Sequence, residues 1–176
     1  MSDAANKRLP LEGLAVLEMG SSIAGPFAGR VFSDFGATVW KVEPPEIGDA
    51  ARGWGSGRIG GTGAAFQAFN KEKRSIAVDF SKPDELDRLR RLIAEKIDVV
   101  VQNLRPGVVE KFGLDAATIM AGNPSLIYCN MGAFGPVGPM SKAPGYDPLI
   151  QAFSGIADAT GEVGGAAVRV GVPLID

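Results

Sequence analysis

Apolar residues along the chain cluster in short runs, separated by longer segments with helical spacing. The runs are "LAVLE" (Leu14–Glu18), "TVWKVE" (Thr38–Glu43), "SIAVD" (Ser75–Asp79), "IDVVVQN" (Ile97–Asn103) and "SLIYCNM" (Ser125–Met131). They are rich in Val, Ile and aromatic residues, and their length and polar boundaries predict buried strands. Between them, "IAGPFAGRVFSDFG", "TGAAFQAFN", "KPDELDRLRRLIAEK" and "GVVEKFGLDAATIMAG" predict helices.

The helix after Ser81 carries the clearest signals. "SKPD" offers Ser81 as N-cap, a proline in the first turn and an acid at the third position. Leu86, Leu89 and Ile93 share one face, and Arg88, Arg90 and Arg91 point mostly away from it. The alternation of strands and helices predicts an α/β fold, an open parallel, Rossmann-like sheet with helices on both faces. No internal repeat or dividing linker is visible. The Gly/Pro-rich stretch Pro44–Gly63 reads as one long loop, long enough to bind something rather than merely connect.

A length of 176 residues allows a real core. Hydrophobic content of 45% and charged content of 22% are globular values, so wholesale disorder is excluded. With 18 basic and 20 acidic side chains the net charge is −2, which points to neither a nucleic-acid surface nor a polybasic membrane anchor. No apolar run approaches the ~20 residues needed to span a bilayer. A single cysteine, Cys129, has no internal disulfide partner and favours a reducing, cytoplasmic setting. The chain has no histidine, which removes the commonest general base and metal ligand. No metal is expected.

In an open parallel sheet, ligands sit in the loops at the carboxyl ends of the strands. The first such loop, "GSSIAGPFAG", lacks G-x-G-x-x-G, and Pro26 follows Gly25 where a Walker loop needs lysine. A dinucleotide dehydrogenase and a P-loop NTPase are therefore disfavoured. Gly25 and Gly29 suit either close approach to a ligand or tight packing of a helix on the sheet. "NKEKRS" (Asn70–Ser75) sets three cations just before a strand, either a solvated cluster or a phosphate site. "QNLRPGVVEKFG" offers Asn103 and the Leu104 backbone for a ring edge, and Arg105 and Lys111 for phosphate. Five cations near two neighbouring strand ends would suit a polyanionic ligand. In "GYDPLIQAFSG", Asp147 could simply cap a helix. The final Asp176, after "VPLI", is either a turn residue or a nucleophile.

In their order and spacing these motifs resemble the family III CoA-transferases, which are related to the 2-methylacyl-CoA racemases. The likeness runs from "PLEGLAVLEMGSSIAGPFAGRVFSDFGATVWKVEPP" through "NKEKRSIAVDF", "VVVQNLRPGVVEKFGLD", "NPSLIYCNMGAFGPVGP" and "GYDPLIQAFSG" to the last residue. It implies that CoA moves between an acyl-CoA and a carboxylic acid, with Asp176 as the nucleophile of a covalent aspartyl intermediate. It implies a CoA site formed by Ala24, Lys73, Arg74, Asn103, Leu104, Arg105 and Lys111, with Tyr146 at the acyl end. It further implies an interlocked homodimer when full length. Because the family's members are more than twice as long, these 176 residues read as the N-terminal CoA-binding α/β domain, with the C-terminal part and second domain missing and no activity expected alone.

Some positions depart from the family pattern. Ile23 stands where oxalate-using members have glutamine, and Pro44 stands where some members place a basic residue. Tyr146 occupies the position of the racemases' histidine. Racemization or isomerization on the same fold is the alternative activity, and a CoA-binding fragment without turnover is the alternative in a different class.

Overall fold

The computed structural model describes residues 8–173 and Ile175. The chain divides into two compact units, residues 1–131 and residues 132–176.

The first unit runs β1 (Ala15–Met19), α1 (Ala24–Asp34), β2 (Thr38–Glu43), a 3₁₀ turn (Ala50–Gly53), β3 (Arg58–Ile59), β4 (Thr62–Gly63), α2 (Ala64–Asn70) and β5 (Arg74–Ala77). It continues with α3 (Pro83–Lys96), β6 (Val99–Gln102), α4 (Val108–Lys111), α5 (Ala116–Gly122) and β7 (Ile127–Asn130). Five strands form one parallel sheet in the order β5-β2-β1-β6-β7, while β3 and β4 form a small antiparallel hairpin. The chain builds outward from β1 to β2 and β5, then returns to add β6 and β7 on the other side. The order therefore reverses between β1 and β6, the kind of crevice where open α/β sheets bind ligands.

Period-2 alternation places successive strand residues on opposite faces. Leu17, Met19, Val42 and Val100 point to the face covered by Leu86, Leu89 and Ile93 of α3, together with Val109, Leu114 and Ile119. Val16, Val39, Val99 and Val101 point to the other face, against Ala28 and Phe32 of α1. The parallel α/β sheet with helices on both faces is thus present as expected.

Three details differ from the sequence reading. Ser81 is not the cap of α3. Its N–H and hydroxyl donate to Asp79 Oδ1 in a local turn, and Lys82 occupies the cap position without a side-chain capping bond. The long Pro44–Gly63 loop folds back on itself through the 3₁₀ turn and the hairpin, because Asp49 caps the turn at Ala51 N and Arg58 reaches the turn's carbonyls at Arg52 and Gly53. The two cation groups do not lie on neighbouring strands, since β2 and β1 stand between β5 and β6.

The second unit contains α6 (Asp147–Phe153) and α7 (Ile156–Ala159). Tyr146, not Asp147, is the N-cap residue of α6. Asp147 is the first helical residue and is buried with Gln151 one turn later. Gln151 Nε2 donates to Asp147 Oδ2 at 2.6 Å, Val170 N donates to Gln151 Oε1 at 2.8 Å, and Ile175 N donates to Asp147 Oδ1 at 3.0 Å. Two polar side chains on one helical face therefore hold the backbone N–H groups of Val170 and Ile175.

Candidate functional site

A cavity of about 400 Å³ opens at the carboxyl ends of the sheet strands. Met19, Gly20 and Ser21 contribute from the end of β1, and Val42 to Pro45 from the end of β2. Val78 to Phe80 follow β5, and Leu104 and Val108 follow β6. The side chains are mostly apolar, and the volume falls within the range for small-molecule sites, about 300–1,000 Å³. A flat heteroaromatic ring or a flexible amide chain fits such walls. A hydrated ion does not.

One side chain joins the loops across the switch point. Asn103 Oδ1 accepts from Ser21 N and its Nδ2 donates to Ser21 O, both at 3.0 Å. This pairing needs Gly20 and Gly25 nearby, since a Cβ on either would come within 2.7 Å of Asn103 Oδ1. The Leu104 N–H is likewise used inside the chain, donating to Gln102 Oε1 at 2.7 Å. Asn103 and the Leu104 N–H thus shape the loops from within, and the Leu104 side chain lines the cavity.

Behind the β1 and β2 loops, on the α1 side of the sheet, lies a set of buried charges. Lys41 Nζ donates to Glu18 Oε1 at 2.7 Å and to Gly20 O at 2.9 Å, and lies 2.9 Å from Asp49 Oδ2. Glu18 and Lys41 are register partners on adjacent strands, so their side chains emerge together. Lys73 Nζ takes the second Glu18 oxygen at 2.6 Å, with Pro26 O and Asn70 Oδ1 as further acceptors. Burial pushes the Lys73 ammonium down to about 8, against the pull of the Glu18 charge and hydrogen bond. The Lys73 side chain is only 2% exposed, so its geometry is that of a counter-ion to Glu18. Glu43 accepts a fork from Arg52, at 2.7 Å to each oxygen, together with the Ser75 hydroxyl and the Asp49 N–H. Burial raises the Glu43 carboxyl, yet the Arg52, Ser75 and Asp49 bonds outweigh it and bring the group to about 2.

Gly29 is part of this arrangement. A Cβ there would run into the Glu18 carboxylate and come within 3.1 Å of Lys73 Nζ. Of the two readings open for the Gly25–Gly29 pair, close packing of helix and loops is the one observed.

The remaining sequence-predicted residues belong to several different elements. Ala24 begins α1 directly after the first loop. Arg74 opens β5, with its guanidinium 5.2 Å from the Trp40 ring. Arg105 is exposed beyond β6, and Lys111 ends α4 with its ammonium 5.2 Å from the Phe112 ring. Tyr146 is exposed in the second unit. Asp176 lies outside the described residues. Among the described residues of the predicted site, Leu104 alone lines the cavity.

Sequence reasoning passed over Glu18, Lys41, Glu43 and Asp49. For Glu18, Lys41 and Glu43 the signal was present, since an acid or a lysine inside an apolar strand must find a partner if it is buried. Among the described residues, no cluster of three or more His, Cys, Asp or Glu could hold a metal, and no helix is long and apolar enough to cross a membrane.

A family model described as CoA-transferase family III matches residues 11–176. The chain belongs to CoA-transferase family III. It is 38% identical to the succinate–glutarate CoA-transferase of Agrobacterium fabrum, over an alignment of 182 residues covering 100% of this chain and 45% of that protein. It is also 38% identical to the acetyl-CoA:oxalate CoA-transferase of Acetobacter aceti, covering 95% of this chain and 42% of that protein. Among solved structures, a CAIB/BAIF family protein from Brucella suis superposes with a TM-score of 0.89 at 43% identity, over 95% of this chain and 45% of that one. The chain thus spans less than half the length of these family III relatives, and their remaining length has no counterpart in these 176 residues.

Proposed function

We propose that these residues form the CoA-binding part of an enzyme that moves CoA from an acyl-CoA to a carboxylic acid. The observation that carries this reading is the family match over residues 11–176. The apolar cavity at the switch point supports it, because CoA brings an adenine ring and a pantetheine arm that need such walls. We place one of these groups against Leu104 and Val108, with Ala24, the first residue of α1, facing the arm.

The phosphates are assigned to Arg105, Lys111 and Arg74, whose cations are exposed. Lys73 contributes through its ion pair with Glu18, and Asn103 by fixing the Ser21 backbone. Tyr146 and Asp176 are assigned to the acyl end by the family resemblance alone.

In the proposed chemistry, the Asp176 carboxylate attacks the thioester carbonyl, forming a mixed anhydride and expelling CoA thiolate. The thiolate then attacks the aspartyl carbonyl, which releases the donor acid and leaves an aspartyl-CoA thioester. The acceptor carboxylate attacks that thioester, and the thiolate finally captures the new acyl group and frees Asp176. An interlocked homodimer and a cytoplasmic location belong to the same proposal.

The test uses the protein expressed from its complete reading frame, an acyl-CoA and isotopically labelled carboxylic acids. Label in a new thioester, abolished by Asp176→Ala while CoA binding persists, is the expected result. Exchange retained in Asp176→Ala would remove that residue from the mechanism. Solvent deuterium at the α-carbon without label transfer would favour the racemase or isomerase reading.

A further inference from the structure

Burying lysine and carboxylate side chains is expensive, and an apolar replacement of similar size often stabilises a protein as well or better. A bare stability role therefore explains little about the set formed by Glu18, Lys41, Asp49 and Lys73, whose side chains are 0–2% exposed. Their backbone partners are more informative. Asp49 Oδ1 accepts from Ser22 N at 3.1 Å, in the β1 loop, and from Ala51 N at 2.9 Å, in the 3₁₀ turn after β2. Ser22 has φ 69°, a left-handed conformation that a non-glycine residue keeps only when its surroundings impose it. Asp49 Oδ2, in contrast, has no hydrogen bond among the described residues and is held by its 2.9 Å ion pair with Lys41. Lys41 in turn holds Gly20 O. Gly20, Ser21, Gly48, Asp49 and Ala50 all line the cavity.

From these contacts we infer that Asp49 is a positioning residue for acyl-CoA: one carboxylate oxygen pins the strained Ser22 turn to the β2 loop and so sets two walls of the cavity. The inference rests on the CoA reading above. Lys41 supplies the charge that keeps Asp49 in place, and Glu18, shared between Lys41 and Lys73, keeps Lys41 there.

Two variants of the complete enzyme separate shape from charge. Asp49→Asn keeps an oxygen for Ser22 N and Ala51 N but gives up the charge facing Lys41. Asp49→Glu keeps the charge but carries the carboxylate one methylene away from those N–H groups. With equal amounts of folded enzyme, Asp49→Glu is expected to raise the KM for acyl-CoA and the Kd for CoA about 10-fold, with kcat within about 3-fold of the parent. Asp49→Asn, which keeps the pin but loses the charge facing Lys41, is expected to raise the same KM and Kd less, by about 3-fold, and to leave amide exchange at Ser22 slower than in Asp49→Glu. The reverse order, unchanged constants in Asp49→Glu, or equal losses that track unfolding in both would overturn the inference. A parent enzyme that does not bind CoA refutes the CoA reading instead. The pin is then read from amide exchange at Ser22, which must be faster in Asp49→Glu than in the parent if Asp49 holds this loop.

Discussion

Replacing Glu43 with glutamine removes a charge with almost no change in volume. In the parent, Arg52, Ser75 and the Asp49 N–H together hold this carboxyl at about 2, against 4.5 for a free glutamate. Each unit of pH between those values corresponds to about 1.4 kcal/mol, which sets a ceiling of about 3.4 kcal/mol. Arg52 is 34% exposed and water screens part of the pair, so about 2 kcal/mol is the expected contribution. The sign follows from the lowered value in the fold. The contribution is fully present above pH 4.5 and is lost as pH falls through about 2. Urea unfolding of parent and Glu43→Gln should differ by about 2 kcal/mol at pH 7 and by less than about 1 kcal/mol at pH 3. A difference that stays constant between these pH values would refute the assignment of that stability to the Glu43 charge.

Other outcomes follow from the same contacts. Gly29→Ala drives a methyl group into the Glu18 carboxylate and should cost about 2–4 kcal/mol in urea unfolding, since neither buried charge can retreat without losing its partner. Asp147→Ala removes the acceptor for Gln151 and Ile175 N, so amide exchange at Val170 and Ile175 should quicken well before global unfolding. Changing both Arg105 and Lys111 to alanine in the complete enzyme should raise the KM for acyl-CoA by about 10-fold or more, with a smaller effect on kcat. An unchanged KM would place the phosphates elsewhere.

The strands were legible because each carries a local signal. Thr38–Glu43 was bounded correctly from its run of apolar residues, and the other sheet strands were located to within a few residues. The amphipathic face of α3, with Leu86, Leu89 and Ile93, needed only periodicity. What local pattern could not convey was pairing at a distance. Lys41 is buried because Glu18 sits opposite it in the parallel register and Asp49 arrives from the following loop. Lys73 sits in a run of cations that reads as a solvated cluster or a phosphate site, yet its ammonium turns inward to a carboxylate 55 residues away. The Ser81 error has a local cause: Asp79 competes for the serine N–H and hydroxyl, so the helix starts one residue later without a side-chain cap. Arg74, Arg105 and Lys111 were expected from charge and family likeness and do not line the cavity, whereas Leu104, expected through the same loop, does.

If Asp176 is the nucleophile, its side chain carries CoA during turnover. The complete enzyme is mixed with acyl-CoA, quenched with borohydride during turnover, digested and examined by mass spectrometry. Reduction of an aspartyl thioester yields the alcohol homoserine, so the account predicts that mass change at Asp176 and its absence without acyl-CoA. An adduct on another residue, or none under conditions where exchange proceeds, would contradict the account.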